Sequence, residues 1–299
     1  MEQRHLKAFV TVIETGSFRE AARRLGVRQP SLSQQIGRLE DTLGVELFDR
    51  RADGVDLTTA GLALRDRAYE ILSLFDETRR TLRDTERTTQ GSIHVAAIPT
   101  LVPFLLPGPL RAFRDEYPKV NVYLSESPTV DVVGLVARGL VDVGLIASHV
   151  NDDRCRFEHV YDEPLVVVMA SDSPWAQRDR VCKDDFNEAG VVILSELHCL
   201  GDQTIEFCEI QNLDKITQID SGQIATVLEL VRRNLGLSLV PESSLGSFNL
   251  AGIAAREVSS GTPTRPVSLV WKAGRPKSEL AVCLARLFSD HLRSAGTKR

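Results

Sequence analysis

The chain has 299 residues, 36 of them basic and 41 acidic, for a net charge of −5. That length implies about two domains, each able to bury a core, and the slightly acidic balance excludes attachment to nucleic acid through overall charge, so a DNA partner must be argued from a local pattern. At 42% hydrophobic and 26% charged, the composition is that of a soluble globular protein. Runs such as Leu165–Ala170 are too short to span a membrane, and charged residues directly after Met1 do not form a signal-peptide pattern. Five cysteines, an odd number without regular spacing, fit a reducing cytoplasm, which is the expected location.

Leu6, Phe9, Val10 and Ile13 recur at helical spacing and predict a first helix. Ser17, with Glu20 three positions on, reads as a capping box that opens a second helix carrying Phe18, Ala21, Ala22 and Leu25. Gly26-Val27 close it in a tight turn. Pro30 suits the first turn of a third helix, expected to bury Leu32, Ile36, Leu39 and Leu43. Two short helices across a glycine-containing turn form a helix-turn-helix. The second presents Gln29, Ser31, Ser33, Gln34 and Arg38, side chains suited to base edges in the major groove. Asp53-Gly54 then signals a hairpin, a wing with Arg50 and Arg51 at its base. By themselves these arginines read as a solvated turn; behind a helix-turn-helix they read as phosphate contacts.

Between Thr58 and about Arg87, Leu64, Ala68, Ile71, Phe75, Thr78 and Leu82 alternate at spacings of four and three. That is a coiled-coil-like seam, and it predicts a dimer presenting two recognition helices to a two-fold operator. The expected division is a winged helix-turn-helix over 1–58, a dimerisation helix over 59–90 and a regulatory domain over 91–299. Within the last, strands at Ile93–Ile98, Val120–Glu126, Val141–Ala147, Leu165–Ser171, Val191–Leu194, Leu237–Val240 and Val267–Trp271 alternate with helices at Leu105–Tyr117, Val130–Arg138, Gly222–Arg233 and Glu279–Leu292. Such alternation predicts a largely parallel α/β sheet. Its two lobes are expected at about 91–162 with 266–299, and about 163–265. Thr100 and Thr129 fall at strand-to-helix junctions, where ligands collect and where a helix cap is the plainer role.

One further stretch, His198-Cys199-Leu200-Gly201-Asp202-Gln203-Thr204-Ile205-Glu206-Phe207-Cys208, places two cysteines nine positions apart. On a helix their Cα atoms would be about 13.5 Å apart, at ~1.5 Å per residue, whereas a disulfide needs about 4.4–6.8 Å. Joining them would require refolding, eased by Gly201. A redox switch and two unrelated structural cysteines both fit this spacing.

Ala21-Ala22-Arg23-Arg24-Leu25-Gly26-Val27, Gln29-Pro30-Ser31-Leu32-Ser33, Ile36, Leu39-Glu40, Leu43-Gly44, Leu47-Phe48 and Arg50 resemble the N-terminal signature of LysR-type transcriptional regulators. Arg28 departs where that family commonly has Ser or Thr. The downstream alternation resembles the family's effector domain, two α/β lobes shaped like periplasmic binding proteins. His198-Cys199-Leu200, Asp202-Gln203 and Phe207-Cys208 resemble the redox loop of its peroxide-sensing branch, and Pro99-Thr100, Thr129 and Arg265 match residues around the reactive cysteine there. Gly201 stands where a basic residue is common.

The resemblance implies hydrogen peroxide as the signal, Cys199 as the peroxidatic thiol, Cys208 as the resolving thiol and a reversible Cys199–Cys208 disulfide. It implies a peroxide pocket of Thr100, Thr129, His198, Asp202 and Arg265, and DNA contacts from Arg28, Gln29, Pro30, Ser31, Ser33, Gln34, Arg38, Arg50 and Arg51. Expected partners are a double-stranded operator with two-fold half-sites, a second copy or three further copies of the chain, and RNA polymerase. No cofactor, metal or membrane is expected, nor enzyme turnover. The alternatives are a regulator reading a small molecule between the lobes, and a thiol peroxidase. A zinc site of His198, Cys199 and Cys208 fits metal-ligand spacing poorly. Cys155, Cys182 and Cys283 read as structural.

Overall fold

A computed structural model describes residues 1–51, 54–84, 91–194, 199–208, 216–219, 223–259 and 261–296. Contacts divide the chain into two units, residues 1–87 with 138–140, and the remainder. The first contains α1 (Gln3–Thr15), α2 (Phe18–Leu25), α3 (Gln29–Leu43), an antiparallel hairpin of β1 (Phe48–Arg51) and β2 (Gly54–Leu57), and α4 (Thr59–Asp84). Leu6, Phe9, Ala21, Leu32, Ile36 and Leu39 form its core. The Phe48 ring closes that core, 5.2 Å from the Phe9 ring and 5.6 Å from that of Phe18.

Three expectations change here. Ser17 accepts the Glu20 N–H at 3.4 Å, but the Glu20 carboxylate pairs with Arg23, so the reciprocal half of the capping box gives way to an ion pair. Leu43, expected in the core, lies in the last turn of α3 and is 39% exposed. The α4 seam is divided: Leu64, Ala68 and Ile71 pack on the unit's own core, whereas Phe75 is 46% exposed, with Leu74 beside it at 63%. The first half of the apolar stripe is therefore used within the chain, and only the second half remains for a partner helix.

In the second unit, β3 (Gly91–Ala97), α5 (Val102–Leu105), α6 (Pro107–Glu116), β4 (Val120–Glu126), α7 (Thr129–Arg138) and β5 (Val143–Ile146) come first. Next are β6 (Cys155–Ala170), β7 (Arg180–Val181), α8 (Lys183–Ala189), β8 (Val191–Leu194), α9 (Cys199–Cys208), β9 (Ile216–Ile219) and α10 (Ile224–Arg232). The last elements are β10 (Ser238–Pro241), α11 (Glu242–Leu245), β11 (Ile253–Val258), β12 (Thr264–Lys272) and α12 (Glu279–Gly296). The predicted helix Leu105–Tyr117 is broken at Pro107, which opens α6.

The main sheet runs β4-β3-β5-β12-β6-β11-β7, with β10 also pairing with β6. It is mixed rather than largely parallel. β3 is parallel to β4 and β5, but β12 is antiparallel to β5 and β6, and β6 is antiparallel to β10 and β11. The cause is β6, a 16-residue strand that serves two lobes. Apart from the buried Cys155, its first half mixes exposed and half-buried positions, and only Leu165–Ala170 is continuously buried, the part that reads as a strand in the sequence. One core gathers around Ile93, Val95, Leu145, Leu269 and Phe288, a second around Val167, Ile193, Leu228 and Leu239. No helix among the described residues is long and apolar enough to cross a membrane.

Gly61 is fixed by sterics. A Cβ there would lie 2.1 Å from the Leu47 carbonyl oxygen, which also accepts the Thr58 N–H at 3.1 Å. Gly61→Ala must shift the start of α4 against the wing, and should destabilise the protein by about 1–3 kcal/mol, the range for overpacking. Urea unfolding checks this; an unchanged midpoint would contradict the close approach.

Candidate thiol site

The parallel strands β3, β4 and β5 point their carboxyl ends the same way, and the chain leaves each end through a hydroxyl residue: Thr100 after β3, Thr129 at the start of α7 after β4, and Ser148 after β5. Helix α9 meets this edge. Cys199 packs against the first core while Leu200, the next residue, is buried in the second. Gln203, one turn on, donates from Nε2 to the Ala147 carbonyl at 2.7 Å and ties α9 to the end of β5.

Neither threonine is a helix cap. Thr100 Oγ1 accepts from Arg265 Nη1 at 2.8 Å, and Arg265 Nη2 also donates to the Thr100 carbonyl at 3.0 Å. Among the described residues, Thr129 Oγ1 is buried without a regular hydrogen bond, and so is the side-chain oxygen of Gln203. The Thr129 oxygen nevertheless stands close enough to the Cys199 sulfur to favour its thiolate. Buried polar atoms without a regular hydrogen bond are costly, and a small molecule able to donate and accept would offset that cost.

Cys199 is a free, half-buried thiol at the first residue of α9. Burial is the largest influence on it and pushes its pKa up; the Arg265 charge and the hydroxyls of Thr129 and Ser148 pull it down, and Asp202 opposes them. Asp202 itself is exposed. The Arg265 charge acts on the thiol, and the guanidinium is itself held in an ion pair. It is fully buried and paired with Glu163, its cross-strand partner on β6, through Nε at 2.8 Å and Nη2 at 2.7 Å.

His198 lies outside the described residues, and of Cys208 the structure describes the backbone alone. That backbone decides one point: Cys199 and Cys208 begin and end a single ten-residue helix, so their Cα atoms are about 13.5 Å apart at ~1.5 Å per residue. Cys155 is buried, its pKa raised to about 11 chiefly by burial, and it donates to the Val133 carbonyl at 3.7 Å. That is an inert thiol.

Sequence reasoning missed Ser148, Glu163 and Ser243, and quoted Gln203 without giving it a role. Ser148 was within reach, because it follows a strand as Thr100 does. Glu163 and Ser243 were not, since only strand register brings Glu163 to Arg265 and only the fold of α11 brings Ser243 to Glu163.

In the first unit, Arg28, Gln29, Pro30, Ser31, Gln34 and Arg38 are exposed at and along the first turns of α3, while Ser33 is half-buried. Arg28 precedes α3 without a side-chain cap bond. The backbones of Arg50 and Arg51 lie in β1, as the wing requires; their side chains lie outside the description.

Residues 3–62 match the model of the bacterial regulatory helix-turn-helix proteins of the lysR family, and residues 86–295 match the LysR substrate binding domain. The chain belongs to the LysR family of transcriptional regulators. Among its LysR relatives, the hydrogen peroxide-inducible genes activator of Pectobacterium carotovorum subsp. carotovorum is 30% identical over 293 residues, 98% of this chain and 97% of that one. Full-length OxyR C199D from Pseudomonas aeruginosa is similar in structure, with a TM-score of 0.77 and 26% identity over 98% of this chain and 95% of that one. An H2O2-bound cysteine-to-serine mutant of Corynebacterium glutamicum OxyR has a TM-score of 0.63 and 29% identity over 99% and 95% of the respective chains.

The balance at Cys199 gives a pH dependence. Because burial raises its pKa, alkylation of Cys199 in native protein should rise with pH later than in urea-unfolded protein. Thr129→Val, which removes a group favouring the thiolate, should move the native profile higher still. A native profile lying below the unfolded one would show that burial does not govern this thiol.

Proposed function

We propose that this LysR regulator senses hydrogen peroxide through Cys199 and changes its action on DNA through a reversible Cys199–Cys208 disulfide. The observation that carries the reading is the Cys199 environment: a free thiol close to the buried Thr129 hydroxyl, with Gln203 one turn along the same helix, and, among the described residues, neither the Thr129 oxygen nor the Gln203 amide oxygen with a regular hydrogen bond. A peroxide molecule both donates and accepts, so it matches a threonine hydroxyl and an amide oxygen. The names of the relatives support the same signal.

The chemistry follows in two steps. The Cys199 thiolate attacks one peroxide oxygen; the S–O bond forms as the O–O bond breaks, and the departing hydroxide takes a proton to leave as water, giving a sulfenic acid. His198 is the proposed orienting group for that proton. The Cys208 thiolate then attacks the sulfenic sulfur; an S–S bond forms, the S–O bond breaks, and a second water leaves. Asp202, which opposes the first thiolate, is suited to this second step as an acceptor of the Cys208 proton. Thr100 and Arg265 complete the pocket, their bonds to each other holding both in place.

The reading includes a winged helix-turn-helix over 1–58, a dimerisation helix over 59–90 and a regulatory domain over 91–299. It also includes binding as a dimer or tetramer to a two-fold operator in the cytoplasm, with contact to RNA polymerase. Gln29, Pro30, Ser31, Ser33, Gln34 and Arg38 would face the major groove, and Arg28, Arg50 and Arg51 the phosphates.

Two experiments test it. Under near-stoichiometric peroxide, Cys208→Ser should accumulate sulfenic acid at Cys199 and leave the operator footprint unswitched. Mapping that finds a different disulfide in oxidised wild-type protein would refute the pairing, and a footprint insensitive to peroxide would return the small-molecule reading. Sustained turnover with thioredoxin as reductant would favour a peroxidase. For the DNA half, Arg50→Ala should weaken binding on all sequences and reduce the salt slope by about 1, whereas Gln29→Ala should relax base preference. An unchanged salt slope would remove Arg50 from the phosphate contacts.

A further inference from the structure

Arg265 and Glu163 are both fully buried, and each is held from more than one side. The guanidinium gives Nε and one Nη2 hydrogen to a single carboxylate oxygen, Glu163 Oε2, and turns its remaining edge to the hydroxyl and carbonyl of Thr100. The other carboxylate oxygen accepts from the Ser243 hydroxyl on α11. Four of the five guanidinium N–H groups are thereby engaged, so the plane of Arg265 is fixed relative to Thr100. The opposite charge within bonding distance also offsets the field that Arg265 projects beyond the pair, including toward Cys199.

We propose that Glu163 is a positioning residue for Cys199: by clamping Arg265 in one orientation and offsetting its charge, it sets how strongly the guanidinium acts on the sulfur. Ser243 tunes Glu163 in turn, because its O–H points a positive dipole at the carboxylate. The pair thus keeps a permanent cation beside the thiol without letting its full charge act there. The importance of this for sensing rests on the reading of Cys199 as the peroxide-reactive thiol, but the electrostatic chain from Ser243 through Glu163 and Arg265 to Cys199 does not require peroxide. Among the described residues, the groups bearing on the sulfur are Arg265 on β12, Asp202 on α9 and the hydroxyls of Thr129 and Ser148; Glu163 on β6 acts through its ion pair with Arg265.

Two substitutions act with opposite sign. Glu163→Gln keeps an oxygen acceptor for Arg265 but removes the negative charge, so Cys199 should ionise at lower pH and be alkylated at least threefold faster near neutrality. Ser243→Ala keeps the ion pair but removes the dipole that stabilises the carboxylate, so the local potential becomes more negative and alkylation should slow by about twofold or more. Glu163→Asp, which restores the charge, should return toward the wild-type pH profile. A merely structural role would move the Gln and Ala variants in the same direction, through loosening of the site.

The measurement is the pH profile of Cys199 alkylation, read by peptide mass spectrometry on full-length folded protein. Opposite shifts support the proposal; parallel shifts, or profiles unchanged in both, overturn it. If Glu163→Gln does not fold, Ser243→Ala decides alone, slower alkylation supporting the proposal and an unchanged or faster rate overturning it. Peroxide oxidation of wild-type Cys199 is followed in parallel: failure there counts against peroxide sensing, while the alkylation profiles judge the role of Glu163.

Discussion

A guanidinium and a carboxylate with no exposed surface meet where β6 and β12 pass between the two cores of the regulatory unit. Desolvating two charges is costly, and they are tolerated only when paired and hydrogen-bonded. Here the bonds reach outward in both directions, from Arg265 to the turn after β3 and from Glu163 to Ser243 on α11. Breaking such a pair by removing one member costs about 3–5 kcal/mol. This constraint keeps the Thr100 turn, and with it one wall of the thiol site, in fixed relation to both lobes.

Against that rigid wall stands α9, the element that would have to unwind for the proposed Cys199–Cys208 bond to form. Its two cysteines close and open one helix, so a bond between them is a statement about unfolding. Leu200, 3% exposed, lies in the second core, and Ile205 and Phe207 pack against that core from the same helix. Exposing a side chain such as Leu200 costs about 1.5–3 kcal/mol, which formation of the proposed disulfide would have to exceed. Gly201 works the other way: a glycine inside a helix is less favourable than alanine by about 0.8–1.0 kcal/mol, which narrows the gap between the helical and unwound forms.

The sequence showed most of the first unit, because helix-turn-helix geometry is written in short-range signals: apolar spacing, Pro30 in a first turn, Gly26 in the left-handed conformation at φ 66. It misjudged Leu43 and the division of the α4 stripe, since spacing cannot say which partner an apolar face meets. In the second unit the strands were mostly legible but the sheet was not. A half-exposed first stretch hid the length of β6, and with it the antiparallel pairing that places Arg265 opposite Glu163. Resemblance pointed to Thr129 and Arg265, and the structure brings both to Cys199. Glu163 is 102 positions from Arg265 in the chain, and no periodicity connects them.

The most direct test of the account is hydrogen exchange across residues 200–208 before and after peroxide, with the strands β3 and β12 as internal reference. The account predicts that amides of α9 lose protection when Cys199 and Cys208 become linked, while those of the two strands keep theirs. Full retention of α9 protection in protein shown to carry the Cys199–Cys208 disulfide would contradict it, because a continuous helix cannot hold both cysteines within bonding distance.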